Sequence, residues 1–413
     1  MSRNCFREIL ALGSSPAQPV ARGSRLPAFM GMPSQDGAKL DMVRILIVGC
    51  GSVGSSVALH CARLQIGELY LVDRGAVKRE SLLTHAFAQP ECVGKPKASL
   101  VAHLCRKISP TTRVWAFDGD VQHIPLSAFE ATDLVVLATD NLSAELDVAQ
   151  RCLAWCKPLV QASVHGETLV AQVRTFRNDS AGAACPVCAF GEEEREALGN
   201  EVVFSCQPPE AGGSSPEWRS APTMSVSCLC NLAADLAMVS ILRHVLGLGA
   251  PLTDVLLEYC GYAHRLVQTP LKRNPDCLCR HEPLEVAAPP RPRLEDCSLD
   301  ELGVAAGAVS DQPLTYTIGD ELVFVEFACC RRGHRQPVHR FLALQTTAGR
   351  CLLCGEILQP DQFFSHRAAP KRALQPVMTQ PLREIGASQV TWALVGSGQR
   401  RVAFLNKTNG GIQ

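Results

Sequence analysis

Three glycines at fixed spacing form the first set of residues that could do chemistry in this 413-residue chain. Gly49, Gly51 and Gly54 follow a short apolar run and precede a helical pattern, which is the order of a phosphate-binding loop. The first glycine permits a tight turn, the second lets a phosphate approach the backbone, and the third lets the helix pack closely on the sheet. Asp73 ends the next apolar run, where an acidic side chain can bind ribose hydroxyls. These residues predict a nucleotide site and leave a dinucleotide and ATP equally open.

Two charged residues further along the chain separate these alternatives. Lys97 begins a predicted helix, and a lysine at a helix start suits a triphosphate. Asp140 follows a strong predicted strand, at the edge of a parallel sheet where ligands normally bind, and a carboxylate there suits Mg²⁺ held to phosphates. A nicotinamide dehydrogenase requires neither group, so the pattern favours ATP with its metal. Each residue also has an ordinary interpretation: Lys97 as a solvated surface lysine, and Asp73 or Asp140 as a helix cap.

A second set of candidate ligands lies near the carboxyl end of the chain. It consists of two closely spaced pairs, Cys330 with His334 and Cys351 with Cys354. Thiolates and imidazoles at such spacing are typical of tetrahedral zinc sites, so the pattern predicts a pair of zinc knuckles here. Cys329 and His366 are competing ligands for this site.

The apolar pattern places these residues on an alternation of strands and helices. Runs of β-branched residues separated by helical lengths are typical of βαβ units and a parallel sheet. The predicted strands are 43–48, 68–72, 113–117, 133–138 and 159–163, and the predicted helices are 55–64, 97–108, 144–155 and 224–249. This order predicts an α/β fold with a Rossmann-like, mostly parallel sheet and helices on both faces, plus a smaller β-rich module at the carboxyl end.

Composition along the chain divides it into three parts. Residues 1–40 are rich in Ser, Pro and Gly and predict a flexible N-terminal arm. Residues 41–290 carry the nucleotide pattern, interrupted by an irregular crossover over about 178–222 and ended by a Pro-rich boundary. Residues 298–413 form the predicted β-rich module.

Overall composition excludes several functional classes. The 40 Lys and Arg residues balance 40 Asp and Glu residues, which argues against broad electrostatic capture of nucleic acid or of an anionic membrane. Aromatic residues make up only 5% of the chain, too few for a platform that stacks single-stranded bases. The 20 cysteines without a visible signal peptide predict a reducing, cytoplasmic location. The apolar stretch 224–249 contains Asn231, Asp235, Arg243 and His244, so it predicts a buried helix and no membrane span.

The ordered set of glycine loop, Asp73, Lys97 and Thr139-Asp140-Asn141 resembles the ThiF/MoeB superfamily, which includes the enzymes that activate ubiquitin and ubiquitin-like proteins. The resemblance covers roughly residues 40–285. It implies that ATP adenylates the C-terminal glycine of a small ubiquitin-like protein, with Asp73 on the ribose, Lys97 on the phosphates and Asp140 on Mg²⁺. It also implies a homodimer.

Two positions depart from the pattern of that superfamily. Gly75 stands where the family usually has a second aspartate after the second strand. Thr84 stands where it usually has an arginine that neutralises triphosphate charge, and losing such a charge weakens transition-state stabilisation. The candidate replacements are His85, Arg79, or an arginine of the N-terminal arm or of another subunit. Without a replacement, the chain would be catalytically weak.

The resemblance also implies roles for cysteines of the crossover and of the Pro-rich stretch. It implies a structural zinc site on two pairs of thiols, and unrelated buried thiols are the alternative interpretation; the four residues are Cys185, Cys188, Cys277 and Cys279. The second pair is one residue shorter than the family spacing, and His281 is a candidate replacement ligand. Family members with a catalytic thiol carry it on the crossover before a Pro-Thr helix start, and here Cys206 precedes Pro222-Thr223. A mobile thiol near helix N–H groups can be activated as a nucleophile, although Cys206 as an incidental thiol stays open.

The whole pattern predicts an ATP-dependent enzyme that adenylates a ubiquitin-like protein and then forms a thioester at Cys206. A conjugating enzyme would receive the modifier, with residues 298–413 recruiting it or binding the modifier. One alternative is an adenylyltransferase without the cysteine step, whose adenylate goes directly to sulfur transfer or amide formation. The other is a non-catalytic scaffold that partners an active enzyme, and Thr84 is its best support.

Overall fold

A computed structural model of the chain describes residues 7–8, 36–124, 126–200, 225–249, 253–307, 313–319, 323–329, 332–337, 350–356, 359–365, 369–387, 390, 392–398 and 400–406. Its strands are β1 (Arg7–Glu8), β2 (Arg44–Val48), β3 (Glu68–Asp73), β4 (Arg113–Asp118), β5 (Leu134–Leu137), β6 (Leu159–His165), β7 (Val170–Phe176), β8 (Val255–Cys260), β9 (Arg265–Pro270), β10 (Glu285–Ala287), β11 (Leu314–Ile318), β12 (Val323–Cys329), β13 (Arg335–Pro337), β14 (Gln359–Ser365), β15 (Ala369–Pro370), β16 (Trp392–Ser397) and β17 (Arg400–Leu405). Its helices are α1 (Asp36–Met42), α2 (Ser52–Arg63), α3 (Ser81–Thr84), α4 (Lys97–Ile108), α5 (Leu126–Ala131), α6 (Leu142–Ala154), α7 (Glu192–Asn200), α8 (Ser227–Leu246), α9 (Leu299–Ala305) and α10 (Lys371–Leu374).

The largest sheet has nine strands in the order β1-β4-β3-β2-β5-β6-β7-β8-β9. Strands β4, β3, β2, β5 and β6 are parallel to one another, and β7, β8 and β9 extend the sheet with antiparallel pairs. The chain passes from β2 to β3 and β4 on one side, and then returns to the other side of β2 for β5 and β6. In such sheets, ligands bind outside the carboxyl ends of the strands at the point where the strand order reverses. That point lies between β2 and β5.

Helices cover both faces of this sheet. Alternate side chains of the parallel strands pack with α2, α4 and α8 into one buried core. Helix α6 lies on the opposite face, because Gln161, which alternates with the core residues Val160 and Ala162 in β6, contacts Glu145 of α6. The predicted α/β fold, with a Rossmann-like, mostly parallel sheet and helices on both faces, is therefore confirmed.

Helix α8 is the long apolar helix that the sequence predicts to be buried. By length and composition alone its 20 residues could cross a membrane, and 50% of its most apolar window is buried. It packs against β6, β7 and α2, and its buried side chains include Leu229, Ala233 and Ile241. Gly247 ends the helix in the left-handed conformation, with φ of +69°. These contacts make α8 a core element of the first sheet.

One helix begins earlier than predicted, and another was not predicted. Helix α2 begins at Ser52, three residues earlier than predicted, because the glycine loop itself forms its first turn. Helix α7 lies inside the stretch predicted as an irregular crossover. Its first turn carries three glutamates, and negative charge there is favourable because it faces the positive end of the helix dipole. The following part of that crossover, residues 201–224, lies outside the described residues.

The sequence pattern does not predict β7, β8 and β9. In β7, the buried Ala171 and Val173 alternate with the partly exposed Gln172 and Arg174, and every residue of β9 is exposed. A strand with one polar face, or with none buried, carries a weak hydrophobic signal, so its pairing is decided by neighbouring strands. These three strands extend the parallel sheet beyond the predicted elements.

Parts of the N-terminal arm predicted over residues 1–40 belong to regular elements. Strand β1 pairs antiparallel with β4 through Arg7 and Glu8, and helix α1 begins at Asp36. The other residues before Asp36 lie outside the described part of the chain.

The described chain divides mainly into two compact units that change over between His281 and Glu282. The second unit contains a five-stranded sheet, β10-β17-β16-β11-β15, and a three-stranded sheet, β13-β12-β14. Its own apolar core includes Leu299, Tyr316 and Phe404. Strand β10 lies within residues 41–290, the range predicted for the first domain, but it pairs with β17. The smaller β-rich part of the predicted fold is confirmed.

Candidate functional site

The glycine loop lies between the carboxyl ends of β2 and β5, where the strand order reverses. Gly49 has φ of +92°, and a methyl group built on it would lie 2.3 Å from the carbonyl oxygen of Ala138. A methyl group on Gly54 would lie 1.9 Å from the carbonyl oxygen of Gly49. On Gly51, the nearest atom to such a methyl group is Nε2 of His85, at 4.0 Å. Close packing therefore requires glycine at 49 and 54, whereas Gly51 has open space beside it.

Asp73, at the end of β3, connects two backbone segments of this site. Its Oδ2 accepts a hydrogen bond from the backbone N–H of Cys50 at 2.7 Å, and its Oδ1 accepts one from Gly75 at 2.6 Å. Hydrogen bonds to a charged acceptor are stronger than neutral ones. The carboxylate therefore holds the glycine loop against the end of β3, a positioning role that the sequence interpretation missed.

Lys97 is the first residue of α4 and lies beside the same segment. Its backbone N–H donates to the carbonyl oxygen of Gly75 at 3.0 Å. A methyl group built on Gly75 would lie 3.7 Å from Nζ of Lys97 and 3.1 Å from Oδ1 of Asp73. An aspartate at position 75 would therefore sit against the lysine ammonium. With glycine there, the described residues contain no ion pair to Lys97.

Thr84 is the last residue of α3, and it contacts His85, the next residue, directly. Oγ1 of Thr84 lies 2.9 Å from Nδ1 of His85, while Nε2 of His85 is buried without a partner among the described residues. Burial, together with the positive charge of Lys97, lowers the pKa of His85 to about 4. The ring is therefore neutral near pH 7. If Thr84 donates to Nδ1, the single ring proton stays on Nε2, which is then a hydrogen-bond donor beside Gly51.

Asp140 is exposed just beyond β5, next to the glycine loop. A methyl group on Gly49 would lie 3.1 Å from the backbone nitrogen of Thr139, the residue before Asp140. The cap of α6 is Asn141, whose Oδ1 accepts from the N–H of Ala144 at 2.8 Å. The interpretation of Asp140 as a helix cap is therefore wrong, and its carboxylate stands at the strand edge where ligands bind.

A buried polar pair lies at the same level of the sheet. Glu145 of α6 accepts a hydrogen bond from Nε2 of Gln161 at 2.6 Å, and Gln161 is paired in register with Leu137 at the end of β5. Burial raises the pKa of Glu145. Sequence reasoning missed this residue because a glutamate in an amphipathic helix is normally exposed. Only the packing of α6 on the sheet identifies it.

Three of the predicted thiols meet one histidine in a group that we call the thiol cluster: Cys185, Cys188, Cys277 and His281. Sγ of Cys185 lies 3.7 Å from Sγ of Cys188 and 3.6 Å from Sγ of Cys277. Nε2 of His281 lies 3.7 Å from Sγ of Cys185 and 3.6 Å from Sγ of Cys188. All four donor atoms lie within 4.8 Å of one another, although 92 residues separate Cys185 from Cys277.

These distances match a tetrahedral metal site. With Zn–S bonds of about 2.3 Å and Zn–N bonds of about 2.0 Å, ligand sulfurs lie about 3.8 Å apart, and a sulfur lies about 3.5 Å from a nitrogen. Nδ1 of His281 lies 2.9 Å from the carbonyl oxygen of Ala183, to which it can donate while Nε2 faces the thiols. Metal-binding histidines usually have such a partner, because it fixes the ring orientation and the tautomer. The donor set fits zinc.

Cys279, the fourth predicted thiol, lies beside this group and interacts with the thiols of Cys185 and Cys277, while His281, the candidate replacement ligand, is the fourth donor within 4.8 Å of the other three. The thiol of Cys279 lies 4.0 Å from the carbonyl oxygen of Leu146, in an apolar cluster with α6. Its backbone N–H donates to Sγ of Cys277 at 3.4 Å. The tight turn after Cys277 thus brings the backbone of Cys279 to the cluster, and its thiol contacts both the cluster and α6. The C-x-C spacing, one residue shorter than the family spacing, was the signal that made His281 a candidate ligand.

Some of the other predicted site residues lie within the described residues, and some lie outside them. His334, Cys351 and Cys354 have donor atoms within 4.8 Å of one another, which we call the C-terminal cluster. Cys330, the predicted fourth ligand, lies outside the described residues. The predicted nucleophile Cys206 also lies outside them.

Comparison with known proteins gives relatives for the first unit. The maize protein named adenylyltransferase and sulfurtransferase MOCS3-1 is 28% identical over 272 residues, which are 64% of this chain and 52% of that protein. The chain therefore spans about half the length of this relative. The molybdopterin-synthase adenylyltransferase of Escherichia coli K12 is 25% identical over 236 residues, which are 57% of this chain and 85% of that protein. Among solved structures, E. coli MccB with succinimide has a TM-score of 0.46 and 17% identity, covering 59% of this chain and 68% of that one. The sequence profile of the ThiF family matches residues 24–280, more than half of the chain, and the chain therefore belongs to the ThiF family.

Proposed function

We propose that the protein uses ATP to adenylate the C-terminal glycine of a ubiquitin-like protein. The observation that carries this proposal is the convergence of Gly51, Asp73 and Lys97 at the point where the strand order of the sheet reverses. The N–H groups at the start of α2 and the ammonium of Lys97 together provide positive potential for phosphates. The relatives that are named as adenylyltransferases support the same class of reaction.

In this reaction, a carboxylate oxygen of the terminal glycine attacks the α-phosphorus of ATP, and the bond from that phosphorus to the bridging oxygen of the β-phosphate breaks. Pyrophosphate leaves with the electron pair, and the products are an acyl adenylate and pyrophosphate. Lys97 would bind phosphate oxygens, and Asp140 would hold the Mg²⁺ that neutralises their charge. Each oxygen of Asp73 uses one lone pair on a backbone N–H, which leaves further lone pairs for ribose hydroxyls.

Exchange of labelled pyrophosphate into ATP tests the adenylation step. Exchange should require a ubiquitin-like protein with a glycine-ended tail. Lys97→Ala should lower the exchange rate by about 100-fold or more, the usual effect of removing one group that stabilises developing charge. Lys107→Ala, which changes an exposed lysine in the last turn of the same helix, is the matched control and should exchange at the wild-type rate. Absence of exchange with every glycine-ended partner would contradict the proposal.

His85 is our candidate for the group that replaces the family arginine. A buried donor without a partner costs about 1–3 kcal/mol, and a phosphate oxygen accepting from Nε2 would remove that cost. His85→Ala should therefore raise KM for ATP by about tenfold, which corresponds to about 1.4 kcal/mol. Thr84→Val removes the hydroxyl that orients the ring and should change KM in the same direction by less. If KM for ATP is unchanged in both variants, the residue that replaces the family arginine would be Arg79 or an arginine of another subunit.

The thiol cluster is proposed to bind a structural zinc ion. Its four protein ligands would complete a tetrahedral site, leaving no open position for a substrate. The ion would link the segment before α7 to the segment before residue 282, and so fix the start of the crossover to the first unit. Cys185 and Cys188 would contribute from one segment, and Cys277 and His281 from the other.

A thioester at Cys206 is the proposed second step, followed by transfer of the modifier to a conjugating enzyme. The thiolate would attack the acyl carbon of the adenylate, forming the C–S bond and releasing AMP. A modifier adduct that thiol reagents cleave should form in the wild type and be absent in Cys206→Ala. Cys228→Ala, which changes an exposed cysteine of α8, is the matched control and should keep the adduct. An adduct that persists in Cys206→Ala would favour the alternative without a cysteine step.

A homodimer is also proposed, and sedimentation of the full chain tests it.

A scaffold function is the second candidate, and Thr84 is the observation that favours it. The position that usually carries an arginine holds a hydroxyl that contacts its neighbour His85. A scaffold would bind a ubiquitin-like partner without pyrophosphate exchange and would restore activity only with a second, active enzyme. Binding of a non-hydrolysable ATP analogue, measured by calorimetry, separates a nucleotide-free scaffold from an enzyme whose modifier has not been supplied.

A further inference from the structure

We infer that the C-terminal cluster, His334, Cys351 and Cys354, is a second zinc site, separate from the thiol cluster. It lies outside residues 24–280, which match the family profile, so family membership does not account for it. It also does not depend on the proposed adenylation, because a scaffold protein could carry it equally well.

The donor atoms are close enough to share one ion. All three lie within 4.8 Å of one another, and Sγ of Cys351 lies 3.5 Å from Nδ1 of His334. This distance matches the separation of about 3.5 Å between a sulfur and a nitrogen ligand of tetrahedral zinc. Thiolates are soft ligands and, with imidazole, favour zinc over Mg²⁺ or Ca²⁺, which prefer oxygen.

Each donor segment is a turn closed by a glycine in the left-handed conformation. Gly333, with φ of +78°, precedes His334 between β12 and β13, and Gly355, with φ of +70°, follows Cys354. The backbone N–H of Gly355 donates to the carbonyl oxygen of Cys351 at 2.8 Å, and the backbone N–H of Cys351 donates to the backbone carbonyl oxygen of Glu356 at 2.7 Å. The backbone therefore sets both thiols of the C-x-x-C turn in place, as a metal knuckle requires.

In this turn the cysteines point inward and the leucines are exposed, which is the reverse of a turn held by hydrophobic packing. Cys351 is only 2% exposed and Cys354 is half-buried, whereas Leu352 is 91% exposed and Leu353 is 75% exposed. Burying a leucine would stabilise the fold by about 1.5–3 kcal/mol, far more than burying a thiol. Both leucines of this turn are nevertheless exposed, while one thiol is buried and the other is half-buried. Metal binding by the thiolates explains this arrangement, since it supplies a free energy that packing of this turn does not.

Metal content of the purified full chain tests the inference. The wild type should contain two zinc ions per chain, and the double variant Cys351→Ser/Cys354→Ser should contain one. Cys297→Ser, which changes a buried cysteine of the same unit outside the cluster, is the matched control and should keep two. The same zinc content in the wild type and in the double variant would overturn the inference, whether or not the thiol cluster also holds an ion.

Replacement of zinc by cobalt keeps the test valid if the double variant fails to fold. The variant Cys188→Ser should lose the metal of the thiol cluster and keep one site, and its cobalt form should show the visible absorption of a tetrahedral ion with thiolate ligands. X-ray absorption on this sample should find two or three sulfur neighbours and at least one nitrogen; a third sulfur would come from a cysteine outside the described residues, for which the sequence predicts Cys330. An ion with one sulfur neighbour or none would overturn the inference.

Discussion

The glycine-loop site and the thiol cluster lie in the same unit but are assembled in different ways. In the glycine-loop site, the loop, Asp73 and Lys97 each stand at the end of a strand or the start of a helix, and backbone hydrogen bonds hold them together. In the thiol cluster, side chains from two segments meet across 92 residues of sequence. The first site is built by secondary structure, and the second by a tertiary contact.

This difference explains which parts of the sequence interpretation hold. The position of a residue at a strand end follows from local periodicity, so Gly49, Asp73 and Lys97 lie at the predicted edge of the sheet. The sequence left Cys279 and His281 both open as the fourth ligand, because the choice depends on how one turn packs on α6. Substitutions at the two sites test this contrast.

The largest effect is expected from His281→Ala. This variant removes a ligand from the thiol cluster, so the chain should lose that metal ion. The free energy of unfolding should fall by about 5 kcal/mol, a part of the 10–16 kcal/mol that zinc binding supplies in small zinc domains. Metal analysis and urea unfolding of the full chain measure the two effects. Cys279→Ala is the matched control and should keep the ion, at a cost of about 1 kcal/mol from lost packing. The reverse outcome would restore the ligand set predicted from sequence.

Adding a methyl group at each of two glycines of the loop should have different effects: one variant should lose stability, and the other should lose affinity for ATP. Gly54→Ala places the methyl group 1.9 Å from the carbonyl oxygen of Gly49, so it should destabilise the fold by about 3 kcal/mol through overpacking. Gly51→Ala meets no atom closer than 4.0 Å and should leave the unfolding midpoint nearly unchanged. It should instead weaken ATP binding, because the methyl group occupies the space proposed for a phosphate. Urea unfolding and calorimetric titration with an ATP analogue measure these effects, and equal destabilisation by both variants would contradict the assignment.

The carboxylate of Asp73 should matter for stability as well as for nucleotide binding. Asp73→Asn removes the charge and turns one acceptor into a donor that faces a backbone N–H, which should cost about 2 kcal/mol. Asp120→Asn removes a surface carboxylate paired with Arg74 and should cost about 0.5 kcal/mol or less. Thermal unfolding without nucleotide compares the two variants. Equal losses would mean that Asp73 does not hold the loop.

The smallest effect is expected from the pH dependence that His85 contributes. Its pKa of about 4 in the folded state lies below the value of 6.5 in the unfolded chain, so only the unfolded chain takes up the proton between these values. Wild-type stability should therefore be unaffected by His85 above pH 6.5 and should fall below it. For this partly exposed ring the loss by pH 4 should be about 1–2 kcal/mol. His85→Gln removes this loss, so the stability difference between variant and wild type should change between pH 7 and pH 4.5. A constant difference would show that the ring titrates normally.

Local sequence determined the class of the fold and the location of the glycine-loop site. Periodic apolar runs set the parallel strands and their helices, since each element buries its own face, and the glycine spacing reflects a turn too tight for any side chain. The strands β7, β8 and β9 escaped prediction because their faces are partly or wholly polar. Their place in the sheet depends on hydrogen bonds to neighbours, which sequence periodicity does not record.

Tertiary structure alone decided the identities of several contacts. It brought the side chain of His281 to three of the predicted thiols, gave Asp73 two backbone donors, and left Nε2 of His85 buried beside Gly51. In each case, the outcome depends on the direction of a side chain relative to a distant segment. Sequence sets which groups are available, but the energy of such a contact depends on distances of a few tenths of an ångström, and only the packed chain fixes these.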